Sequence, residues 1–543
     1  MHLVGRTGIA GRELMPRTFI VTATPPTTNG DLHAGHLSGP YLAADAFCRA
    51  RALDGDRTVY VSSGDDHQTY VVTSAAPAGV APAAMAQRFN QEIVATLRAA
   101  DIAPDVFDAP DGAHDAAVQG FFERMHARGS LVERDVETLW CERCARALVE
   151  AYVTGECAVC TLTTKGNICE ACGHPNDPAA LIAPRCTADA SHPVVRRTIR
   201  SLVLDLERHR AALERYVQTR EGWRPHVLQL ARELLAQPLQ PYRVTFPSDW
   251  GTRCTIAGFE DQVYNPWAEM LPGLMHSTSL AEGRAHAYVE DAWRRDAELV
   301  QFLGYDNSYF FVILHVAMLA DVNNGVLLPH AIVTNEFYQL HHKKFSTSLR
   351  NVIWGRDLLA RQPVDAVRFY LCLSNPELQQ TNFSPDECAG VARRRFSEPW
   401  AKLVDALVRA DLGAGHVGAD DAGTDAARRM TAFERRMRRA YALPTFSLRD
   451  AAETWAAFLE RLVREAEAGP HEERTAREER SARELVLGAA LLAIAAQPMM
   501  PSFARNVLDA LGVRHGGEWF ASASADPRNV ARLAGGAAAP VLA

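Results

Sequence analysis

No segment of this 543-residue chain offers the roughly 20 uncharged apolar residues that a membrane-spanning helix requires. The opening residues, MHLVGRTGIAGREL, also lack the continuous apolar core of a secretory signal. These two absences predict a cytoplasmic protein with no membrane partner. Positive charge is not in excess: 57 Lys and Arg stand against 65 Asp and Glu, a formal net charge of -8. A polyanion therefore finds no global attraction, and any nucleic-acid site would have to be a local basic patch. No internal repeat is found. Cysteine is sparse at 11 residues, yet six of them fall in three Cys-x-x-Cys pairs. In a reducing compartment such pairs point to metal rather than to disulfides. The others, at 48, 186, 254, 372 and 388, are expected mostly as buried hydrophobes.

What is present suits a multidomain enzyme. Hydrophobic residues make up 48% and charged residues 22%, ordinary globular values, and the chain is too long for one hydrophobic core. From Arg17 the β-rich TFIVTAT leads into a Pro/Thr/Asn/Gly turn and a helix from His33 to about Leu53. The strand TVYVSSG follows and ends at Asp65, Asp66 and His67. This is a βαβ unit with polar residues at the carboxyl ends of its strands, where doubly wound sheets bind ligands. A Cys-rich stretch interrupts the alternation between about 135 and 195, and strands and helices resume from about 240 to 375. The fold class is thus α/β: a split Rossmann fold, a doubly wound parallel sheet with a small inserted domain. From about 388 to 512, runs such as SARELVLGAALLAIAAQPMM carry apolar residues at helical spacing and predict a helix bundle. The Ala/Gly-rich end from about 521 is expected to be loose.

The segment Pro26-Thr27-Thr28-Asn29-Gly30-Asp31-Leu32-His33-Ala34-Gly35-His36 sets two histidines three residues apart at a helix start. Both imidazoles face one way, and Gly35 lets a flat base or a phosphate approach the helix's positive end. Asn-Gly-x-x-His-x-Gly-His after a strand resembles the first signature of class I aminoacyl-tRNA synthetases, the methionyl type in particular. The second signature is matched far downstream by Lys343-Lys344-Phe345-Ser346-Thr347-Ser348, after the strand LPHAIVTN. The resemblance implies a mobile loop whose lysines stabilise charge on the departing pyrophosphate. It also implies ATP with Mg2+ as the nucleotide, held by Asn29, Gly30, His33, Gly35, His36, Lys343, Lys344, Ser346 and Ser348. His33, His36 and Lys344 would be the catalytic residues. The family's second loop lysine is Thr347 here, so neutralisation rests on Lys344, with Lys343 as the other candidate.

Cys157-x-x-Cys160 and Cys169-x-x-Cys172 have the compact spacing of a four-thiolate, structural Zn2+ knuckle. It matches the insertion of methionyl-tRNA synthetases. For a second knuckle, Cys141 and Cys144 find only Cys186, with His192 as a fourth ligand; an empty, decayed site is the alternative. The resemblance thus divides the chain into 17–134 and 196–334 as Rossmann halves, 135–195 as the zinc insertion and 335–387 as a signature-loop and connecting region. Residues 388–515 follow as a bundle similar to an anticodon-binding domain, and 516–543 as a tail.

An amino acid is the expected substrate, because Asp65 occupies the family position that holds the α-ammonium. Pro26, Thr27, Tyr264, Phe310 and Phe311 are the other expected pocket residues. Three of them depart from the methionine pocket. Thr27 replaces a Tyr, Phe311 replaces a His, and Tyr264 replaces a Trp unless a register shift restores Trp267. Such changes are expected to move specificity to another amino acid. In the bundle, Ala401 and Asp405 stand where the family carries the Asn and Arg that read the anticodon, and His471 where it carries a Trp. An Asp in place of an Arg repels phosphate. The favoured reading is an AMP-forming ligase that passes its acyl group to a small amine or hydroxylamine, similar to the synthetase-like part of hydrazine synthetases, with a separate cupin as partner enzyme. A true methionyl-tRNA synthetase, with tRNA as partner, is the first alternative. A non-catalytic regulatory relative, motivated by Thr347, is the second.

Overall fold

The computed structural model describes residues 16–220, 222–284, 286–323, 325–345, 351–410, 412, 416–467, 476–516 and 519–533. Strand β1 (Thr18–Ala23) is buried over most of its length, as its apolar run requires, and leads through a turn to helix α1 (Leu42–Leu53). Strand β2 (Arg57–Ser63), helices α2 (Thr69–Ala78) and α3 (Pro82–Ala99), strand β3 (Val106–Asp108) and helix α4 (Gly112–Ala127) complete the first half. Helix α5 (Pro266–Glu282), strand β4 (Glu298–Gly304), helix α6 (His315–Val322) and strand β5 (Pro329–Asn335) form the second. The five strands make one parallel sheet in the order β5-β4-β1-β2-β3. The chain runs outward from β1 in one direction and then returns to its other side, so the switch point lies between β1 and β4. Sheets of this kind bind ligands at the carboxyl ends of the strands beside such a switch point.

The helix expected from His33 to Leu53 is broken. Ala34–His36 is α-helical, Leu37–Tyr41 is a π-type turn, and α1 begins only at Leu42. Pro40 cannot donate a backbone hydrogen bond, and Gly39, at ψ -124°, bends out of helical geometry before it.

Between α4 and α5 the chain leaves the sheet as an antiparallel ribbon, Leu131–Cys141 against Val194–Leu204, in register from Leu131↔Leu204 to Cys141↔Val194. The paired cysteines, with Cys186 and His192, lie at its far end and in the loops it carries. After helix α7 (Val364–Leu373) come α8 (Glu398–Arg409), α9 (Thr424–Tyr441), α10 (Leu448–Glu467), α11 (Ala476–Ala496) and α12 (Pro501–Leu511), the expected bundle. The end of the chain is not loose over its described part. Trp519 and Phe520 are buried, and Ser524–Ala525 pairs with Val417–Gly418, because two aromatic side chains there are worth burying on the bundle.

Candidate functional site

The turn after β1 is held to the turn after β2. The Asp65 N–H donates to the Pro26 carbonyl at 2.9 Å, and Thr27 pairs with Asp65 as an isolated parallel bridge. Thr28 donates to the Asp66 carboxylate at 2.9 Å, and Asn29 donates to Ser74 on α2 at 3.3 Å. Asn29 thus braces the turn in this structure, while Gly30 is half-buried within it. Asp31, whose role no sequence pattern marks, takes hydrogen bonds from the Leu32 N–H, from Thr96 on α3 and from Arg356. Its carboxylate ties the turn to a helix on one side and to the segment beyond the second signature on the other.

His33 caps the short helix: its Nδ1 accepts the His36 N–H at 3.2 Å, while His36 Nδ1 accepts the His33 N–H at 3.4 Å. The two rings stack 3.7 Å apart, and Phe345 stacks on the other face of His33 at 4.7 Å. A Cβ at position 35 would lie 3.0 Å from His33 and 3.2 Å from Phe345, so any side chain there would press the two signatures apart by a few tenths of an ångström. The segment after the loop completes the clamp. The Ala34 N–H donates to the Ile353 carbonyl, the Gly355 N–H donates to the Leu32 carbonyl, and His33 bridges to Trp354. Lys343 is exposed, and the backbone of Lys343–Lys344 pairs with Gln339 and Leu340. Ser346, Thr347 and Ser348 lie outside the described residues, as does His471.

Asp65 is buried at the carboxyl end of β2. Burial pushes its carboxyl well above the usual range, with Glu150, Glu269 and Asp66 adding to the effect. Trp267, not Tyr264, is the aromatic that shares this region. Tyr264 is wholly buried and stacks on Phe122, because its strand, Gln262–Tyr264, turns that ring into the core. Trp267 opens α5, lies flat on Phe310 at 3.9 Å and donates its indole N–H to Glu150 at 2.9 Å. Glu150 comes from the insertion and also accepts from the Thr69 N–H, the Thr69 hydroxyl and Asn167. Phe311 tilts over His315, one helical turn on, at 4.8 Å, and His315 Nε2 donates to the Trp267 carbonyl at 2.7 Å. Burial lowers His315 to about 4, so it is neutral. Glu150 and His315 were not singled out in the sequence. The only signal for Trp267 was its place a few residues after Tyr264, and no local pattern marks Glu150, which reaches Trp267 and Thr69 through the insertion's fold.

Both cysteine clusters assemble. Cys157 and Cys172 lie 3.8 Å apart, and Cys160 and Cys169 3.5 Å apart, near the roughly 3.8 Å edge of a tetrahedron built on Zn–S bonds. Cys144 is 3.8 Å from Cys186 and 3.4 Å from His192 Nδ1, and Cys141 is 3.6 Å from the same nitrogen. In each group, one ligand atom per residue lies within 4.8 Å of all the others. The donors fit zinc in both, three thiolates and an imidazole in the second. Metal analysis of the purified chain should find two zinc ions per chain, and Cys186→Ala should reduce this to one. A single zinc in the wild type would leave the second cluster as a decayed site.

A family model described as tRNA synthetases class I (M) matches residues 19–408. The methionine–tRNA ligase of Thermomicrobium roseum is 32% identical over 404 residues, spanning 73% of this chain and 68% of that protein. That of Salinispora arenicola is 32% identical over 407 residues, spanning 70% and 67%. Among solved structures, Mycobacterium tuberculosis methionyl-tRNA synthetase in complex with methionyl-adenylate superposes with a TM-score of 0.72 at 20% identity, covering 93% of this chain and 96% of that one. The fold likeness therefore extends through the helix bundle, whereas the family match ends at its first helix.

Proposed function

The chain belongs to the class I tRNA synthetases of the methionyl type, adenylate-forming ligases, and from that premise we propose that it joins an α-amino acid to AMP at the Asp65 crevice. Asp65 holds the α-ammonium, and Trp267 and Phe310 form the aromatic wall beside it. His33 and His36 contact the triphosphate, and Lys344 neutralises charge on the leaving pyrophosphate. The substrate carboxylate attacks the α-phosphorus in line; a new O–P bond forms as the bond to pyrophosphate breaks. Magnesium, when bound with ATP, supplies further charge neutralisation. The observation that carries this reading is the closure of the two signatures on each other, His36, His33 and Phe345 in one stack above the turn that Asp65 braces.

For the acceptor, the exposed Asp405 and the small Ala401 on α8 favour a small amine or hydroxylamine over tRNA. Its nitrogen attacks the acyl carbon, the C–N bond forms, AMP leaves with its oxygen, and the amine proton passes to solvent. A cupin partner draws no support from the relatives named above. Methionine and tRNA are the second reading, favoured by Trp267 at the pocket and by the activity for which the relatives are named.

Amino-acid-dependent ATP–pyrophosphate exchange, run over all amino acids and N-hydroxylated analogues with and without total tRNA, separates the readings. Exchange with a non-methionine substrate and no charging of tRNA is the expected result. Methionine exchange with stable transfer to tRNA would establish the second reading.

A further inference from the structure

Two residues beyond Asp65, His67 Nδ1 lies 2.6 Å from Glu269 Oε1, and His114 Nε2 lies 3.0 Å from the same oxygen. The Thr252 hydroxyl donates to Asp115 at 2.6 Å, and its oxygen lies 3.2 Å from that Glu269 oxygen. Glu269 and His114 are almost wholly buried. Glu269 stands on the first turn of α5, two residues after Trp267. That turn therefore grips the segment following Asp65 at two points: Glu269 holds His67, and Trp267 holds Glu150, which holds Thr69.

Charge gives the arrangement a second purpose. Asp65, Asp66, Glu150 and Glu269 crowd one buried region, with Tyr41 beside Asp65. His114 Nδ1 faces Asp108 at 3.8 Å, and its ring lies 6.1 Å from that of His276, near Asp111. His276 in turn lines a cavity of about 530 Å³ between α4 and α5. Burial disfavours an imidazolium, yet Asp108 and Glu269 outweigh it and raise His114 to about 10. Burial likewise disfavours the Glu269 carboxylate, and the two histidines outweigh that and hold it at about 2.

We propose that the Glu269–His67–His114 triad is the positioning device of the amino-group subsite: it fixes the turn carrying Asp65 and supplies the positive charge that offsets the surrounding buried carboxylates. The triad touches no reacting atom, so its members are positioning residues. The inference rests on the reading of Asp65 as the ammonium ligand.

The sign of the pH effect follows from the charges. An ammonium needs ionised Asp65, so amino-acid KM rises as pH falls through the Asp65 titration. Removing a nearby cation pushes that titration upward. His114→Gln can still donate a hydrogen bond to Glu269 but carries no charge. It should move the acid limb of 1/KM for the amino acid to higher pH by about one unit, raising KM by about tenfold at pH values below that limb with little change in kcat. His67→Gln should do the same and serves if the first variant fails to fold. Exchange kinetics on the full chain, with Asp65→Asn run in parallel, decide the matter. Loss of exchange in Asp65→Asn with an unmoved limb in both glutamine variants would overturn the inference. Wild-type exchange in Asp65→Asn would instead overturn the reading of Asp65 itself.

Discussion

His36→Ala should lower amino-acid-dependent ATP–pyrophosphate exchange by about 10²- to 10³-fold while leaving zinc content unchanged. Two losses combine. The imidazole that would meet the triphosphate is removed, and so is the acceptor for the His33 N–H, together with one ring of the His36–His33–Phe345 stack. His33 then loses the neighbour that fixes its plane beneath the signature loop. His36→Asn separates these contributions, because an Asn side chain accepts the same N–H without an imidazole. Substantial recovery in the Asn variant would assign His36 a capping role alone. Wild-type exchange in His36→Ala would remove the nucleotide site from this turn altogether. The cysteine clusters lie on the inserted ribbon, so metal content reports folding independently.

Arg368→Leu should cost about 3–5 kcal/mol of stability, the second large effect expected. Arg368 lies on α7 with 1% of its surface exposed. All five of its N–H groups are used. One reaches the Asp45 carboxylate on α1 at 2.7 Å, and the others reach the carbonyls of Ala100, Asp101, Pro498 and Met499. The guanidinium therefore joins the first half of the sheet domain to the end of α11, and its removal leaves four carbonyls and a buried carboxylate short of a donor. Arg49 still pairs with Asp45 at 2.9 Å, which places the loss within that range rather than above it. Lysine, with three donors on a point charge, cannot serve five acceptors, so Arg368→Lys should recover less than half. Chemical denaturation of wild type and variants measures the difference, and a loss below about 1 kcal/mol would show that the two units are held by their apolar contact alone.

Much of this architecture is legible without coordinates. The β-rich TFIVTAT and TVYVSSG have one way to sit in a buried parallel sheet, and they do. The paired Cys-x-x-Cys spacings are short-range geometry, so the knuckle at 157–172 follows from chain connectivity and thiolate chemistry. The bundle follows from apolar periodicity. The helix after His33 was harder, because Pro40 and Gly39 argue for a break while the flanking residues argue for continuity. Ala and Gly predict looseness from about 521, but over the described residues 519–533 burial of Trp519 and Phe520 on the bundle outweighs them.

The site divides along the same line. Sequence by itself determined the chemistry on offer: the two histidines at i and i+3, Asp65 at a strand end, the loop lysines and the thiolates, since each depends on residue type and local spacing. Only the tertiary structure decided which groups meet. Trp267 rather than Tyr264 faces Phe310 because a strand, with its alternating sides, sends Tyr264 into the core, while the helix that starts at Pro266 turns Trp267 the other way. Glu150, Glu269, His67 and His114 converge from four separate segments, and Arg368 finds its partners more than a hundred residues away on either side. Such contacts carry no periodicity in the chain; they exist because burying a charge is costly unless another element brings its counter-charge or its hydrogen bonds to the same place.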